Sequence, residues 1–435
     1  MGTECSRLER FRGGLLGLAV GDALGAPLAG MKSGHIRQVY GEIGGYMDAA
    51  RAWKGRPHRW ALPGLYTNNT QRALVISDLL AQEGRCEPRA LADVFVEMAD
   101  VHVTKDTLGC HRRVSRNFRW ALERLRSSAA NPLDCGGPAP GCGAAARVAP
   151  LGLFFADRPN DLARAVIESS LVTHRDPRAV AAALAVASAV ARMVSVEGDV
   201  RRRPADLARL VADEVRAGEA LLIESYGRHL VRLSDPAASR SFSAALDLLP
   251  RLLDEGDDTL AFESIVRQAN RCAPDRPVHD PGEGFAPAAV MAALYLALGG
   301  RSYAEVIPLA IGLGREAHDL GAMVGAIVGA RDGEAAIPSD WIAGLVNSDQ
   351  IRLRADNLDR REIDYTTWCG VVQLELEATA TEERERRRLA VEWEKKGILV
   401  KKKRRARPRK EPEAGFAPPP GVWLRRKAAR EKRRG

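Results

Sequence analysis

Residues 179–190, AVAAALAVASAV, are the longest apolar run in the chain, broken only by Ser188 and followed closely by Arg192. A bilayer-spanning helix needs about 20 strongly apolar residues. This run is shorter and mostly alanine, so it reads as a helix buried in a protein core. Apolar residues recur with helical spacing at 8–20, 70–83, 160–172, 178–194, 205–224, 286–299, 304–313 and 320–330. Convincing strand alternation is absent. Breaker-rich connectors lie between the helical segments: PHRWALPGLY at 57–66, NPLDCGGPAPGCG at 131–143 and CAPDRPVHDPGEG at 272–284. The expected fold class is all-α, one large bundle whose alanine-rich helices pack closely.

At 435 residues and 46% hydrophobic, the chain has ample apolar material for such a core. Its charge is uneven. Of 65 Lys and Arg, 15 lie in residues 397–435, with only 3 of the 56 Asp and Glu. The last segment therefore carries +12 and the first 396 residues −3, so the basic character belongs to the tail. That tail reads KKKRRARPRK, then a Pro-rich EPEAGFAPPPG, then VWLRRKAAREKRRG. Such a composition buries too little apolar surface to offset ordering entropy, and disorder is expected. Preceding it, TATEERERRRLAVEWEKKG at 379–397 reads as a charged helix with a thin apolar stripe. The expected organisation is a helical domain at 8–375, a charged surface helix at 376–396 and a disordered basic tail at 397–435.

The seven cysteines are odd in number, widely spaced and without a C-x-x-C pair. That usage fits reduced thiols, and with no apolar leader at the start of the chain a cytoplasmic location without membrane association is expected. The basic tail suits phosphate-rich partners, so nucleic acid is a candidate partner through residues 397–435. A solubilising terminus is the plainer alternative.

Four blocks carry a resemblance. They are RFRGGLLGLAVGDALGAP at 10–27, LYTNNTQRALVISDLL at 65–80, GCGAAARVAPLGLFF at 141–155 with THRDPRAVAAALAVA at 173–187, and GREAHDLGAMVGAIVGARDGEAAIPSDWIAGL at 314–345. In that order, over roughly residues 8–375, the chain resembles the ADP-ribosylglycohydrolase family. The resemblance implies that family's orthogonal helical bundle and a ligand of the ADP-ribose type, free or on an ADP-ribosylated macromolecule. It also implies a centre of two divalent ions, usually magnesium, held by Thr-Asp-Asp from the second block and Asp-x-Asp-Thr or -Ser from the fourth. By position those ligands are Thr67, Asn68 and Asn69, with Glu316, His318 and Asp319. It further implies pocket-lining roles for Gly141, Cys142 and Gly143 near a diphosphate, for His174 on the ribose side, and for Gly284 and Phe285.

This chain departs from the family at the metal positions. Both aspartates of the second block are asparagines, and His318 and Asp319 replace an Asp and a Thr or Ser. Formal ligand charge falls to −2, from Glu316 and Asp319, which balances one divalent ion and not two. His318 would favour Mn, Fe or Zn over Mg. The acidic residue that many members place after GDALG-x-x is missing, since Leu28 and Ala29 stand there. At most one ion is expected, and none is the alternative. Without the resemblance, Asn68 and Asn69 would read as caps of a helix starting near Thr70. Three functions follow as expectations: hydrolysis of an ADP-ribosyl glycosidic bond with altered metal chemistry, a non-catalytic ADP-ribose or nucleotide-binding module, or a scaffold whose basic tail binds nucleic acid.

Overall fold

The computed structural model describes residues 5–105, 107–127, 129–195, 203–272 and 277–400. Among these, the regular elements are α-helices and short 3-10 turns, with β-structure limited to isolated bridges such as Gly137 with His174. Every segment read as helical from its apolar spacing is a helix. Five helices frame the site: α1 (Arg7–Gly25), α2 (Asn68–Glu83), α3 (Pro177–Ser195), α4 (Ala317–Asp332) and α5 (Val371–Lys395).

The axis of the bundle is the pair α1 and α4, which run antiparallel with their backbones touching. Glycines recur every fourth residue on both, and helical residues four apart share a face. Gly13, Gly17 and Gly21 thus oppose Gly329, Gly325 and Gly321. A Cβ on Gly17 would lie 2.2 Å from the Gly325 carbonyl oxygen, and one on Gly21 would lie 2.0 Å from that of Gly321. No side chain fits there. The contact continues to Gly25, where a Cβ would meet His318 N at 2.6 Å. It sets the C-terminal end of α1 against the first turn of α4, so Asp22 and Asp319 belong to one neighbourhood. The GDALG motif at 21–25 forms the last turn of α1.

Helix α3 contains the run 179–190. It has the length and hydropathy to cross a bilayer, but 78% of the qualifying window is buried inside the bundle. The charged segment near residue 379 belongs to α5, which begins at Val371, so the boundary expected between 375 and 376 falls inside one helix. One face of α5 is internal: Glu375, Ala378, Thr379 and Glu382 are buried. Gly397 and Ile398, assigned to the tail by sequence, close this helix. Gly397 adopts φ +67° and donates to the Glu394 carbonyl at 2.9 Å, and Ile398 donates to that of Trp393 at 2.9 Å. This is the glycine-terminated pattern that satisfies the last carbonyls of a helix. The expected disordered tail from residue 401 onward lies outside the described residues.

Candidate functional site

The start of α2 is fixed by one buried carboxylate. Asp22, fully buried on α1, accepts from Thr67 N and Thr70 N, each at 3.0 Å, and from Thr67 Oγ1 and Thr70 Oγ1, each at 2.7 Å. An acidic group is favoured at a helix N-terminus because the first amides lack intrahelical acceptors. Burial pushes the Asp22 carboxyl above its ordinary range, while nearby His318 and the Thr70 and Thr67 donors pull it back. Thr67 is the cap, its hydroxyl accepting from Asn69 N at 3.2 Å. Asn68 and Asn69 therefore lie inside the first turn rather than capping a helix near Thr70.

Both asparagine side chains have fixed roles. Asn68 Nδ2 donates to the carbonyls of Arg112 (2.7 Å) and Arg113 (2.6 Å). Asn69 Nδ2 donates to Asp319 Oδ1 at 2.6 Å. Their Oδ1 atoms turn toward Arg72, one helical turn along α2: Arg72 Nη2 donates to Asn68 Oδ1 and, at 3.1 Å, to Asn69 Oδ1. Arg72 Nε donates to the Asn68 carbonyl at 2.8 Å, and the guanidinium stacks 4.9 Å from the Phe118 ring centre. Burial lowers the Arg72 pKa to about 10, with Asp319 and Asp22 opposing, so it stays a cation at neutral pH.

The fourth block enters from the opposite side. Arg315 (φ +56°) follows Gly314 (φ +79°), and this left-handed pair turns Glu316 into the site. Arg315 N donates to the Met31 carbonyl at 2.6 Å, and Gly30 N returns a bond to the Arg315 carbonyl at 2.7 Å. His318 Nε2 lies 3.6 Å from Asp319 Oδ1 and 3.8 Å from Glu316 Oε2, and donor atoms of the three residues lie within 4.8 Å of one another. The Glu316 side chain is 46% exposed and those of His318 and Asp319 10% each, so the cluster opens to solvent on the Glu316 side. Gly284 (φ +77°) packs on Glu316, where a Cβ would lie 3.1 Å from Glu316 Cγ. Phe285 is buried beneath the Arg178 guanidinium.

The glycine loop lies against Arg72 and His174. Asn117 holds it, donating to the Ala139 carbonyl at 2.6 Å and accepting from Ala139 N at 3.2 Å. Ala286 N ties Pro140 to the Gly284–Phe285 turn at 2.8 Å. A Cβ on Gly143 would sit 3.4 Å from Arg72 Nη2 and from His174 Cε1. His174 is buried and shares a 2.8 Å bond between Nδ1 and Thr173 Oγ1. Burial, then the cations Arg147 and Arg72, push it well below the ordinary histidine range, so it is neutral. Burial, then Asp319 and Glu316, raise the Cys142 thiol well above its usual value, which excludes a thiolate. The structure thus brings together Thr67, Asn69 and Asp319 by direct bonds and Asn68 through Arg72, with Glu316 and His318 beside Asp319. The glycine loop and His174 face Arg72.

A sequence model described as ADP-ribosylglycohydrolase matches residues 3–366. The chain belongs to the ADP-ribosylglycohydrolase family. Among similar proteins, an uncharacterized protein of Archaeoglobus fulgidus is 26% identical over 341 residues, covering 78% of this chain and 92% of its own length. The ADP-ribosyl-(dinitrogen reductase) glycohydrolase of Rhodospirillum rubrum is 28% identical over 190 residues, 44% of this chain and 60% of the relative. A solved ADP-ribosylglycohydrolase-related protein complex aligns with a TM-score of 0.57 at 25% identity, covering 82% of this chain and 99% of that chain.

Two divalent ions do not fit the donors of this family member. Hard cations need anionic oxygens, yet positions 68 and 69 offer neutral amides whose oxygens already accept from a guanidinium. Thr67 Oγ1 donates to Asp22. Among the described residues, Glu316, His318 and Asp319 remain as a set that could hold a single ion. Sequence reasoning missed Asp22, Arg72 and Arg147, although each lies in a quoted block. The available signal was a lone arginine three and four residues after the paired asparagines, on their own helix face.

Proposed function

We propose that this ADP-ribosylglycohydrolase homologue binds an ADP-ribose-type ligand, free or on a modified macromolecule, without the two-metal hydrolysis associated with its family. The observation that carries this reading is the engagement of both asparagine oxygens by Arg72. The oxygen positions that would face the ions are turned to a side-chain cation. Gly143 and His174 lie against Arg72 and Gly284 lies against Glu316, a convergence that supports retained binding. A second reading, hydrolysis with one ion, is favoured by the Glu316, His318 and Asp319 cluster. His318 would bias such an ion toward Mn, Fe or Zn. Elemental analysis of purified protein, paired with an assay of ADP-ribose release from ADP-ribosylated protein, separates the two. The binding reading expects less than one ion per chain and no release above background with Mg or Mn. Metal-dependent release with one ion per chain would establish the second reading.

A further inference from the structure

Arg72 is a buried charge without an ion pair near this site, with Asp319 and Asp22 only partly offsetting its burial. It is 1% exposed, and no carboxylate lies within ion-pair distance among the described residues. Its hydrogen bonds go to neutral amide oxygens, and Nη1, also buried, has no partner. A buried cation left in that state is costly unless something else uses it. A second such group stands close by. Arg147, fully buried, donates to the Gly143 carbonyl at 3.3 Å and to the Ser169 carbonyl at 2.7 Å, again without a carboxylate partner. Both guanidinium groups approach Gly143, where a Cβ would lie 3.5 Å from Arg72 Nη1. His174 also lies against Gly143, so donors and positive charge gather there, while the carboxylates Glu316 and Asp319 cluster around His318.

The geometry points to Arg72 as a resident cation standing in for a divalent ion, its free Nη1 donating to an anionic ligand oxygen seated against Gly143. This deepens the binding reading and rests on it for the ligand. The substitutions then form one exchange. Two asparagines present the neutral oxygens a guanidinium can share, and Asn69 passes a hydrogen bond on to Asp319. Two carboxylates at 68 and 69 would instead have called for a metal. The ligand class is an oxyanion of phosphate type, and its capture needs no chelatable ion.

The test has two arms. In the first, the full chain is titrated with ADP-ribose in chelator, as wild type, Arg72→Lys and Arg72→Met. Hydrogen bonds to charged groups predict at least about tenfold weaker binding for Arg72→Met, with a smaller loss for Arg72→Lys. In the second, ligand-free proteins are unfolded thermally across a Mn²⁺ titration. Wild type should show no Mn²⁺-dependent rise in Tm, whereas Asn68→Asp/Asn69→Asp/Arg72→Met should gain one. Wild-type affinity in both Arg72 variants would overturn the inference and leave the binding reading standing. Absence of ADP-ribose binding to wild type, with the Mn²⁺ responses as stated, would remove the binding reading and keep the resident cation. A wild-type Mn²⁺ response equal to that of the triple variant would overturn the inference by itself. If Arg72→Met does not fold by circular dichroism, Arg72→Lys carries the affinity comparison and wild type the metal arm.

Discussion

Asn69 Nδ2 donates to Asp319 Oδ1 at 2.6 Å, joining the first turns of two helices across 250 residues of sequence. The bond requires an amide at one end and a carboxylate at the other, so it fixes which way the Asn69 amide points and turns its oxygen to Arg72. A double-mutant cycle with Asn69→Ala and Asp319→Ala, read by urea unfolding, should return a coupling of about 2 kcal/mol, the usual range for a buried bond to a charged group. Additivity within about 0.5 kcal/mol would show that the contact contributes nothing of its own.

The glycine contact between α1 and α4 makes a steric prediction with a built-in control. Gly17→Ala and Gly325→Ala each place a methyl about 2 Å from a backbone oxygen, and should cost roughly 3 kcal/mol or more by overpacking. Gly34, in the helix Ser33–Tyr40, has nothing within 4 Å of its Cβ position. Gly34→Ala should be neutral or stabilising by up to about 1 kcal/mol, because alanine is the better helix former. Equal Tm values for the three variants would contradict the account of the bundle axis.

Acid should loosen the wall behind Asn68. His111 is buried against Phe95 and Phe118, its Nε2 on the Phe95 carbonyl at 2.9 Å, and burial pushes it down to about 4. The unfolded chain takes up this proton near pH 6.5. The stabilisation is therefore complete above that value and is lost as pH falls from 6.5 toward 4. His174 is lowered in the same sense. Unfolding free energy should drop by on the order of 2 kcal/mol or more between pH 6.5 and 4.5. His111→Gln, which keeps a donor but does not titrate, should flatten part of that slope.

The helices were legible because their apolar spacing is strong, and the second and fourth blocks contain the two halves of the site. The helix Ser348–Arg360, SDQIRLRADNLDR, was not legible. Its buried face includes Arg354, paired with Asp78 at 3.0 Å, and hydropathy scores such a residue as surface. The internal face of α5 was hidden likewise, since Glu375 is buried only because Arg112, Tyr66 and Gln71 bind it at 2.7, 2.7 and 2.8 Å. At the site, the convergence of the two blocks was readable from their positions. The exchange of an ion for Arg72 was not, because it depends on where the two asparagine oxygens point.

The tail makes its own prediction. Clusters at 401–410 and 425–434 should bind single-stranded RNA mainly by releasing counterions, with affinity that tolerates sequence and falls steeply with salt. Comparing the full chain with a version truncated after Ile398, at low salt, reads this directly. Equal RNA affinity for both would remove the tail as a nucleic-acid arm.

The most direct test of the central claim is calorimetric titration of the wild-type chain with ADP-ribose, once in EDTA and once in excess Mg²⁺. A guanidinium-based pocket predicts the same Kd in both, within about twofold, and no metal uptake on ligand binding. Binding that appears only with Mg²⁺, or that is at least tenfold tighter with it, would contradict the claim.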